Sequence, residues 1–347
     1  MTTTRVDPQQ GPHDTRDETI SDLDSLLSGA GNTQLCRVYG TGPLLLSNIP
    51  ASCQEKNATV NMGIDEAGRG PLLGPMVYSA AYWSSSPSPT PELEKLFKDS
   101  KVLTPATRSS LFDKIKSSAD IGFVVRVLHA SEISRNMFRA NPYNVNEMSH
   151  DAVIQMIRSV LDAGVSIGSC FVDTVGNPET YRQKLERTFG SIHFVVEKKA
   201  DAKYPTCSAA SVIAKVTRDE MIENWKWNEE GLTNITKDFG SGYPSDPKCK
   251  KWLENNFVDH IFGYPDIVRF SWGPAKVAVK EKGSCVEWEA DVDDDEDDKS
   301  KVRDRNQMTM SSFFCAGDDG GEKRRKRRKY RFFERMGMEP VTNLVKT

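Results

Sequence analysis

The sequence predicts an α/β domain with a central mixed sheet flanked by helices. Between residues 60 and 275, short apolar runs alternate with stretches of helical period. Small residues also line the second long helical stretch, so that it can lie close against a sheet. Some runs follow one another directly and others are separated by helices, which favours a sheet with both antiparallel and parallel strands.

Five apolar runs are predicted as strands. The first two are separated by turn residues, a helical stretch precedes the third, and the longest helical stretch separates the third from the fourth. The runs are VNMGI at 60–64, PMVYSAAYW at 75–83, GFVVRVLHA at 122–130, GSCFVD at 168–173 and HFVVEK at 193–198.

Two long helices are predicted between and after these strands. In residues 144–164, apolar side chains recur at helical spacing, and Gly164 is a typical stop. The recurring residues are Val153, Met156, Ile157, Val160 and Leu161. A second helix is expected from Cys207 to about Trp225. Its small residues are Ala209, Ala210, Ser211 and Ala214.

Composition excludes several classes of protein. The chain has 347 residues, a formal net charge of −3 and seven scattered cysteines without a CxxC pair. This pattern argues against a disulfide framework and a structural zinc site. No apolar run is long enough to span a membrane, and the N-terminus has no apolar signal core. We therefore expect a reduced, intracellular protein without a membrane partner.

The chain is expected to divide into four parts. Residues 1–58 are polar and predicted to be mostly disordered, with LCRVYGTGPLLLSNIP packing on the domain surface. Residues 59–278 carry the alternating pattern of the domain. Residues 279–329 contain an acidic and a basic block that cannot bury apolar surface. Residues 330–347 return to a helix-like apolar pattern.

Carboxylates follow three of the predicted strands. Asp65 and Glu66 end the first, Asp173 ends the fourth, and Asp201 comes shortly after the fifth. Each aspartate alone is also typical of a turn or helix cap. If neighbouring strands bring them together, their charges require a cation, and oxygen ligands suit Mg²⁺. Such a cluster suits two-metal phosphodiester hydrolysis, although the spacing alone leaves the convergence open.

Five motifs occur in an order that resembles type 2 ribonuclease H (ribonuclease HII), most closely the catalytic A subunits of eukaryotic ribonuclease H2 complexes. The resemblance covers about residues 60–275 and the extreme C-terminus. The motifs are GIDEAGRGPLLGPMVYSAAYW, DSKVL, CFVDTVG, EKKADAKYPTCSAASVIAKVTRD and GSGYPSDPKCKKWL.

The resemblance implies a fold, a reaction and a metal site. The fold would be ribonuclease H-like, with a central mixed five-stranded sheet and a small C-terminal helical subdomain. The activity would be endonucleolytic cleavage of RNA in RNA/DNA hybrids, and cleavage 5′ to a single ribonucleotide in duplex DNA. The products would carry a 3′-hydroxyl and a 5′-phosphate. By motif, Asp65, Glu66, Asp173 and Asp201 would bind two Mg²⁺ or Mn²⁺ ions.

The resemblance also implies substrate-binding residues. Gly68, Arg69 and Gly70 would read the 2′-hydroxyl and adjacent phosphates, because a turn with little side chain brings backbone groups close to the sugar. Tyr243 would pack on the sugar of the following deoxynucleotide. Lys101 in DSKVL would contact phosphate, and Asn146 is a candidate for a further backbone contact.

Three features of the C-terminal region predict partners and location. QMTMSSFF fits the peptide motif that docks on the replication sliding clamp, PCNA, with Gln307, Met310, Phe313 and Phe314 as its key residues. KRRKRRK at 323–329 is typical of a nuclear localisation signal, which predicts the nucleus. By resemblance, residues 330–347 would dock the two accessory subunits, B and C, of a heterotrimer.

The sequence therefore predicts a ribonuclease H that removes embedded ribonucleotides, RNA primers and R-loops from genomic DNA. One alternative is a non-catalytic scaffold that binds hybrids or the clamp, which retention of all four carboxylates disfavours. Another is a two-metal nuclease acting on DNA flaps or junctions. Cleavage assays with ribonucleotide-containing and all-DNA duplexes separate the three.

Overall fold

The computed structural model describes residues 34–36, 44–86, 97, 104–174, 176–227, 229 and 235–284. All of them belong to the first of the two units into which the chain divides, Met1–Cys285. In this part of the chain, no helix is long and apolar enough to cross a membrane.

Seven described strands form one mixed sheet, in the spatial order β1-β2-β5-β4-β3-β6-β7. The strands are β1 Gln34–Cys36, β2 Leu44–Leu46, β3 Val60–Ala67, β4 Met76–Ser84, β5 Gly122–Leu128, β6 Ile167–Asp173 and β7 His193–Glu197. Neighbours from β1 to β3 are antiparallel, whereas β6 is parallel to both β3 and β7. The carboxyl ends of β3, β6 and β7 therefore lie at one edge of the sheet.

Seven α-helices are described in full. They are α1 Pro105–Ser117, α2 Ala130–Met137, α3 Val145–Asp162, α4 Pro178–Thr188, α5 Pro205–Glu223, α6 Pro247–Asn255 and α7 Gly273–Lys282. α3 begins with a capping box between Asn144 and Glu147, which satisfies backbone donors at its first turn. Proline at the first position begins α1, α4, α5 and α6, where its missing N–H costs nothing.

The sheet separates two hydrophobic cores. Along β4, Tyr78 and Tyr82 face the core that also holds α3, whereas Val77 and Ala81 face the core that holds α5. This period of two is the expected alternation of a strand buried on both faces. Each core contains one of the two predicted long helices.

α5 lies very close to β3. A Cβ added to Gly63 would come within 2.1 Å of the backbone nitrogen of Cys207, so this position admits only glycine. Ala209, Ala210 and Ala214 are fully buried on the same helix. The small residues that predicted a close helix–sheet contact therefore mark that contact.

The structure confirms the α/β class, the five predicted strands and both long helices. It also corrects two details. The sheet has seven strands rather than five, because Leu44–Leu46 pairs with β5 and Gln34–Cys36 pairs with Leu44–Leu46. Leu44 and Leu45 are fully buried within the sheet instead of packing on the surface. Three leucines in a row carry no period that would identify a strand.

The C-terminal part of the described chain, residues 235–284, contains α6 and α7 and matches the expected helical subdomain. α7 extends to Lys282, past the boundary predicted at residue 278. The segment also returns to the sheet, since Gly74 donates its N–H to the Ile267 carbonyl at 2.8 Å. Residues near 269 thereby come beside the end of β3.

Candidate active site

Three aspartates meet at one edge of the sheet. Ile64 pairs with Val172 in the parallel β3–β6 register, so the next residues, Asp65 and Asp173, lie side by side on one face. Asp201 lies on a short 3₁₀ helix, Ala200–Ala202, that follows β7. Carboxylate oxygens of the three aspartates all lie within 4.8 Å of one another.

Glu66 lies outside this group of three. As the next residue on β3 it points to the opposite face of the sheet, where its cross-strand partner is Tyr78. It remains close enough for the charges of Asp65 and Asp173 to act on it. The structure therefore brings together three of the four predicted metal ligands and places the fourth at the margin.

Burial and mutual repulsion dominate the electrostatics of these carboxylates. Burial, opposed by Ser211 and assisted by Asp173, raises the pKa of Asp65 to about 7. Burial and then the charge of Asp65 raise the pKa of Glu66 to about 8. Burial and Asp201 also raise the pKa of Asp173. Oxygen donors that repel one another in this way fit a hard divalent cation such as Mg²⁺ or Mn²⁺.

Backbone donors hold two of the aspartates in place. The Glu66 N–H donates to Oδ1 of Asp65 at 2.7 Å, and the Lys199 N–H donates to Oδ1 of Asp173 at 2.8 Å. Lys199 has a φ of 60°, the only positive value at a non-glycine residue in the described chain. Such a backbone conformation is costly, and here it turns an amide toward a site carboxylate.

The Gly68–Gly70 turn directly follows β3. Gly68 has a φ of +80°, and a Cβ there would lie 2.2 Å from Nε of Arg218. Both the conformation and the close approach therefore require glycine.

Residues late in the chain hold the carbonyls of this turn. Arg269 donates to the carbonyls of Gly68 at 2.6 Å and Arg69 at 3.1 Å, and Trp272 Nε1 donates to the Gly70 carbonyl at 3.1 Å. No described residue accepts a hydrogen bond from the N–H of Arg69 or Gly70. The turn therefore commits its acceptors inward and keeps amide donors for a ligand.

Two arginines support the turn from below. Arg269 is fully buried and also donates to the Gly74 carbonyl at 2.9 Å, while Arg218 donates to the carbonyls of Leu73 and Pro75. Burial and the charge of Arg218 lower the pKa of Arg269 to about 9. Backbone carbonyls in place of carboxylates satisfy these buried cations, so the geometry of the turn depends on them.

The Arg69 side chain ties the turn to the start of α3. Its guanidinium donates to Ser149 Oγ at 2.8 Å and to Oδ1 of Asn146. Asn146, predicted to contact substrate, is thus placed beside the turn. Its carboxamide oxygen is already used by Arg69.

Tyr243 lies on the Gly70 end of the turn. A Cβ on Gly70 would lie 2.8 Å from Cε1 of the Tyr243 ring, whose side chain is 44% exposed. The Tyr243 loop is braced by Asp246, which accepts from the N–H and hydroxyl of Ser241 at 2.8 and 2.7 Å. An accessible aromatic face therefore stands next to the turn, although Gly70 and Tyr243 are far apart in the sequence.

Several predicted residues lie outside the described part of the chain. These are Lys101 and the clamp-motif residues Gln307, Met310, Phe313 and Phe314. The basic run at 323–329 and the segment 330–347 also lie outside it. Their roles remain predictions.

The sequence analysis missed six residues that shape the site. They are Lys199, Ser211, Lys215, Arg218, Arg269 and Trp272. Arg269 carried a usable signal, because an arginine inside the apolar run IVRFSW is unusual unless it is paired in the interior. The others are ordinary residues of a turn or helix, and only the fold brings them to the site.

Comparison with known proteins agrees with this geometry. The family model for ribonuclease HII matches residues 62–275. The chain is 38% identical to the A subunit of ribonuclease H2 from Homo sapiens over 317 residues, which cover 90% of this chain and 97% of the human protein. It is 44% identical to the Arabidopsis thaliana counterpart over 256 residues, or 73% and 83% of the two chains. The crystal structure of ribonuclease H2 from Pyrococcus horikoshii OT3 is similar with a TM-score of 0.52 and 32% identity, covering 64% of this chain and 98% of that one.

Proposed function

The chain belongs to the ribonuclease HII family and is a ribonuclease H, and on that premise we propose that it is the catalytic subunit of a heterotrimeric ribonuclease H2. It hydrolyses the RNA strand of RNA/DNA hybrids and cuts 5′ to single ribonucleotides in duplex DNA. The products carry a 3′-hydroxyl and a 5′-phosphate. One observation supports this most directly: the aspartate cluster and the glycine turn occupy the same end of β3.

Asp65, Asp173 and Asp201 would hold the divalent cations, with Glu66 completing the set from the margin. Bound Mg²⁺ or Mn²⁺ would supply an activated water and stabilise the leaving oxygen. The protein's own contribution is to keep the carboxylates gathered and oriented. The strand ends fix Asp65 and Asp173, and two backbone amides fix their oxygens.

The turn selects the sugar. The 2′-hydroxyl is the group that distinguishes RNA from DNA at a single nucleotide. The amide groups of Arg69 and Gly70 would donate to that hydroxyl or to the adjacent phosphates, because the turn's carbonyls already accept from Arg269 and Trp272. Selection and cleavage are then adjacent because the chain passes directly from Glu66 to Gly68.

Tyr243 selects the other side of the junction. Its exposed ring beside Gly70 would pack on the sugar of the next nucleotide, where a deoxyribose leaves room that a ribose fills. Asn146, through Arg69, and Lys101 would contact the nucleic-acid backbone. These contacts position the duplex and carry no base specificity.

Accessory subunits, the clamp and the nucleus complete the proposal. The relatives are named as A subunits, which supports further subunits for this chain. Four apolar side chains of the described C-terminal part are strongly exposed, and one of them, Phe262, is 79% exposed. The four are Val258, Ile261, Phe262 and Val277. The clamp-type motif and the basic run support recruitment to replicating DNA in the nucleus and a role in ribonucleotide excision repair.

The deciding experiment is a cleavage assay on duplex DNA containing one ribonucleotide, run with Mg²⁺ and with Mn²⁺. We expect a single cut 5′ to the ribonucleotide, and none in an all-DNA duplex of the same sequence. Cleavage of the all-DNA duplex would instead indicate a DNA flap or junction nuclease. Binding to the hybrid without cleavage, with and without accessory subunits, would indicate a scaffold.

A further inference from the structure

A lysine and a serine on α5 form a short chain of hydrogen bonds into the aspartate cluster. Lys215 lies one helical turn after Ser211, and its Nζ donates to Ser211 Oγ at 2.7 Å. Ser211 is 1% exposed, and its hydroxyl forms a hydrogen bond with the Asp65 carboxylate. The chain thus runs from Lys215 through Ser211 to Asp65.

The chemistry of the three groups fixes the direction of these bonds. A serine hydroxyl has one proton to donate and two lone pairs that accept, whereas an ammonium group has donors only. Because Lys215 occupies a lone pair of Ser211, the Ser211 proton cannot point toward it. That proton is therefore directed to Asp65, so Lys215 determines which way the hydroxyl donates.

We propose that Lys215 is a positioning residue for the metal site, acting through Ser211 to hold the Asp65 carboxylate in the orientation that receives a divalent cation. This inference rests on the metal site of the proposed function. It assigns Lys215 no contact with metal or substrate. With Lys215 in place the hydroxyl is locked as a donor, and without it the hydroxyl rotates and the carboxylate loses a fixed partner.

Two possible roles of Lys215 predict opposite results. A cation near the cluster repels a metal ion, so if its charge were all that mattered, removing it would strengthen metal binding. If it positions Asp65, removing it weakens metal binding, as loss of a residue that orients a ligand typically does by roughly tenfold or more. Metal affinity, measured without substrate, separates the two roles.

The experiment measures Mn²⁺ binding to the full-length chain by isothermal titration calorimetry and by Mn²⁺ electron paramagnetic resonance. The variants are Lys215→Met, Ser211→Ala and the double variant, with Lys215→Arg as the conservative replacement. Lys114→Met on α1 is the matched control, because Lys114 is an exposed lysine remote from the aspartates in the sequence of elements. Asp65→Asn marks the signal that belongs to this site.

We expect Lys215→Met and Ser211→Ala each to weaken Mn²⁺ binding by roughly tenfold. We expect the double variant to be no weaker than either single variant, since both interrupt one chain of bonds. Lys215→Arg and Lys114→Met should bind like the wild type. Stronger binding in Lys215→Met, additive losses in the double variant, or unchanged affinity in both single variants would overturn the inference.

The proposed function fails in a different way. If the wild type showed no Mn²⁺ signal sensitive to Asp65→Asn, the metal site itself would be wrong. If that signal is present and Lys215→Met leaves it intact, only the role of Lys215 is wrong. Circular dichroism melting of each variant checks that the compared proteins are folded, and Lys215→Arg tests the inference should Lys215→Met unfold.

Discussion

The aspartate cluster and the glycine turn occupy the same end of β3 but are held there by different means. Neighbouring parallel strands bring Asp65 and Asp173 together, so the topology of the sheet assembles the cluster. The turn depends on hydrogen bonds from Arg269 and Trp272, about 200 residues later in the chain. The chemistry of cleavage is therefore built into the sheet, whereas the recognition of sugar depends on the C-terminal segment.

The two regions also differ in electrostatic character. The cluster gathers like charges whose pKa values are raised by burial, so without a metal it opposes folding. The turn gathers carbonyl dipoles around buried guanidinium groups, an arrangement that stabilises the fold. Removing a charge from the cluster should cost activity and not stability, while disturbing the support of the turn should cost both.

The largest expected effect is the loss of activity in Asp65→Asn. The substitution removes a charged ligand from the cluster, so cleavage of a duplex with one ribonucleotide should fall by roughly 10⁴-fold. The melting temperature of the metal-free protein should stay the same or rise, because one repelling charge is gone. Asp162→Asn, at the exposed end of α3, is the control. Activity near the wild-type level would remove Asp65 from the metal site.

The second effect tests the support of the turn through Arg269→Lys. Lysine keeps the charge but cannot reach three carbonyls with a planar fork. We expect a loss of about 3 kcal/mol in unfolding free energy, since each of three carbonyls loses a donor worth about 1 kcal/mol. Chemical denaturation measures it, with Arg182→Lys on the surface of α4 as a control.

Arg269→Lys should also lower the ratio of cleavage at a ribonucleotide to cleavage of all-DNA duplex. A wild-type ratio in a protein that is less stable would show that Arg269 supports the fold alone. The comparison between the two regions would then lose its functional half.

The third effect concerns Tyr243. Removing the exposed ring in Tyr243→Ala should weaken cleavage at an RNA–DNA junction by roughly tenfold, the scale of one lost stacking contact. Cleavage within a continuous RNA/DNA hybrid should fall less, because the ring favours a deoxyribose on that side. Tyr243→Phe keeps the ring and should act like the wild type. An equal loss on both substrates would contradict a role in junction selection.

The smallest effect is on stability as a function of pH. The folded-state pKa values of Asp65 and Glu66, about 7 and about 8, lie above the ordinary range near 4. A carboxyl group with a raised pKa favours folding when protonated, so the metal-free protein should lose stability as pH rises from about 4 through about 8. Added Mg²⁺ should therefore raise the melting temperature more at pH 8 than at pH 5.

Thermal melting of wild type and Asp65→Asn, with and without Mg²⁺, measures this dependence. The difference between the two pH values should shrink in the variant. An equal effect of Mg²⁺ at both pH values would show that the cluster is not strained by its charges.

The sequence predicted the parts of the site that repeat a local rule. Asp65 and Asp173 end apolar runs, and the parallel pairing of β3 and β6 then places them together. Asp201 came from the family resemblance, because it follows its strand by several residues. Glu66 was grouped with the cluster, although the alternation of a strand turns it to the other face.

The sequence could not predict the contacts that join distant segments. Nothing local relates Arg269 to Gly68, or Tyr243 to Gly70, because these pairs meet only after residues 235–284 return to the sheet. The strand Leu44–Leu46 was missed for a similar reason. Three residues carry too little pattern, and its partner Val124–Arg126 lies about 80 residues later.

The hydrogen bonds from Arg269 and Trp272 have a consequence for the order in which the protein is made. Synthesis proceeds from the N-terminus, so every aspartate of the cluster is synthesised before the residues that shape the turn. A chain that stops before residue 269 would hold the cutting group without the means to recognise a ribose. Because that incomplete chain also leaves the turn's carbonyls without donors, it should be a target for degradation before it can act on DNA.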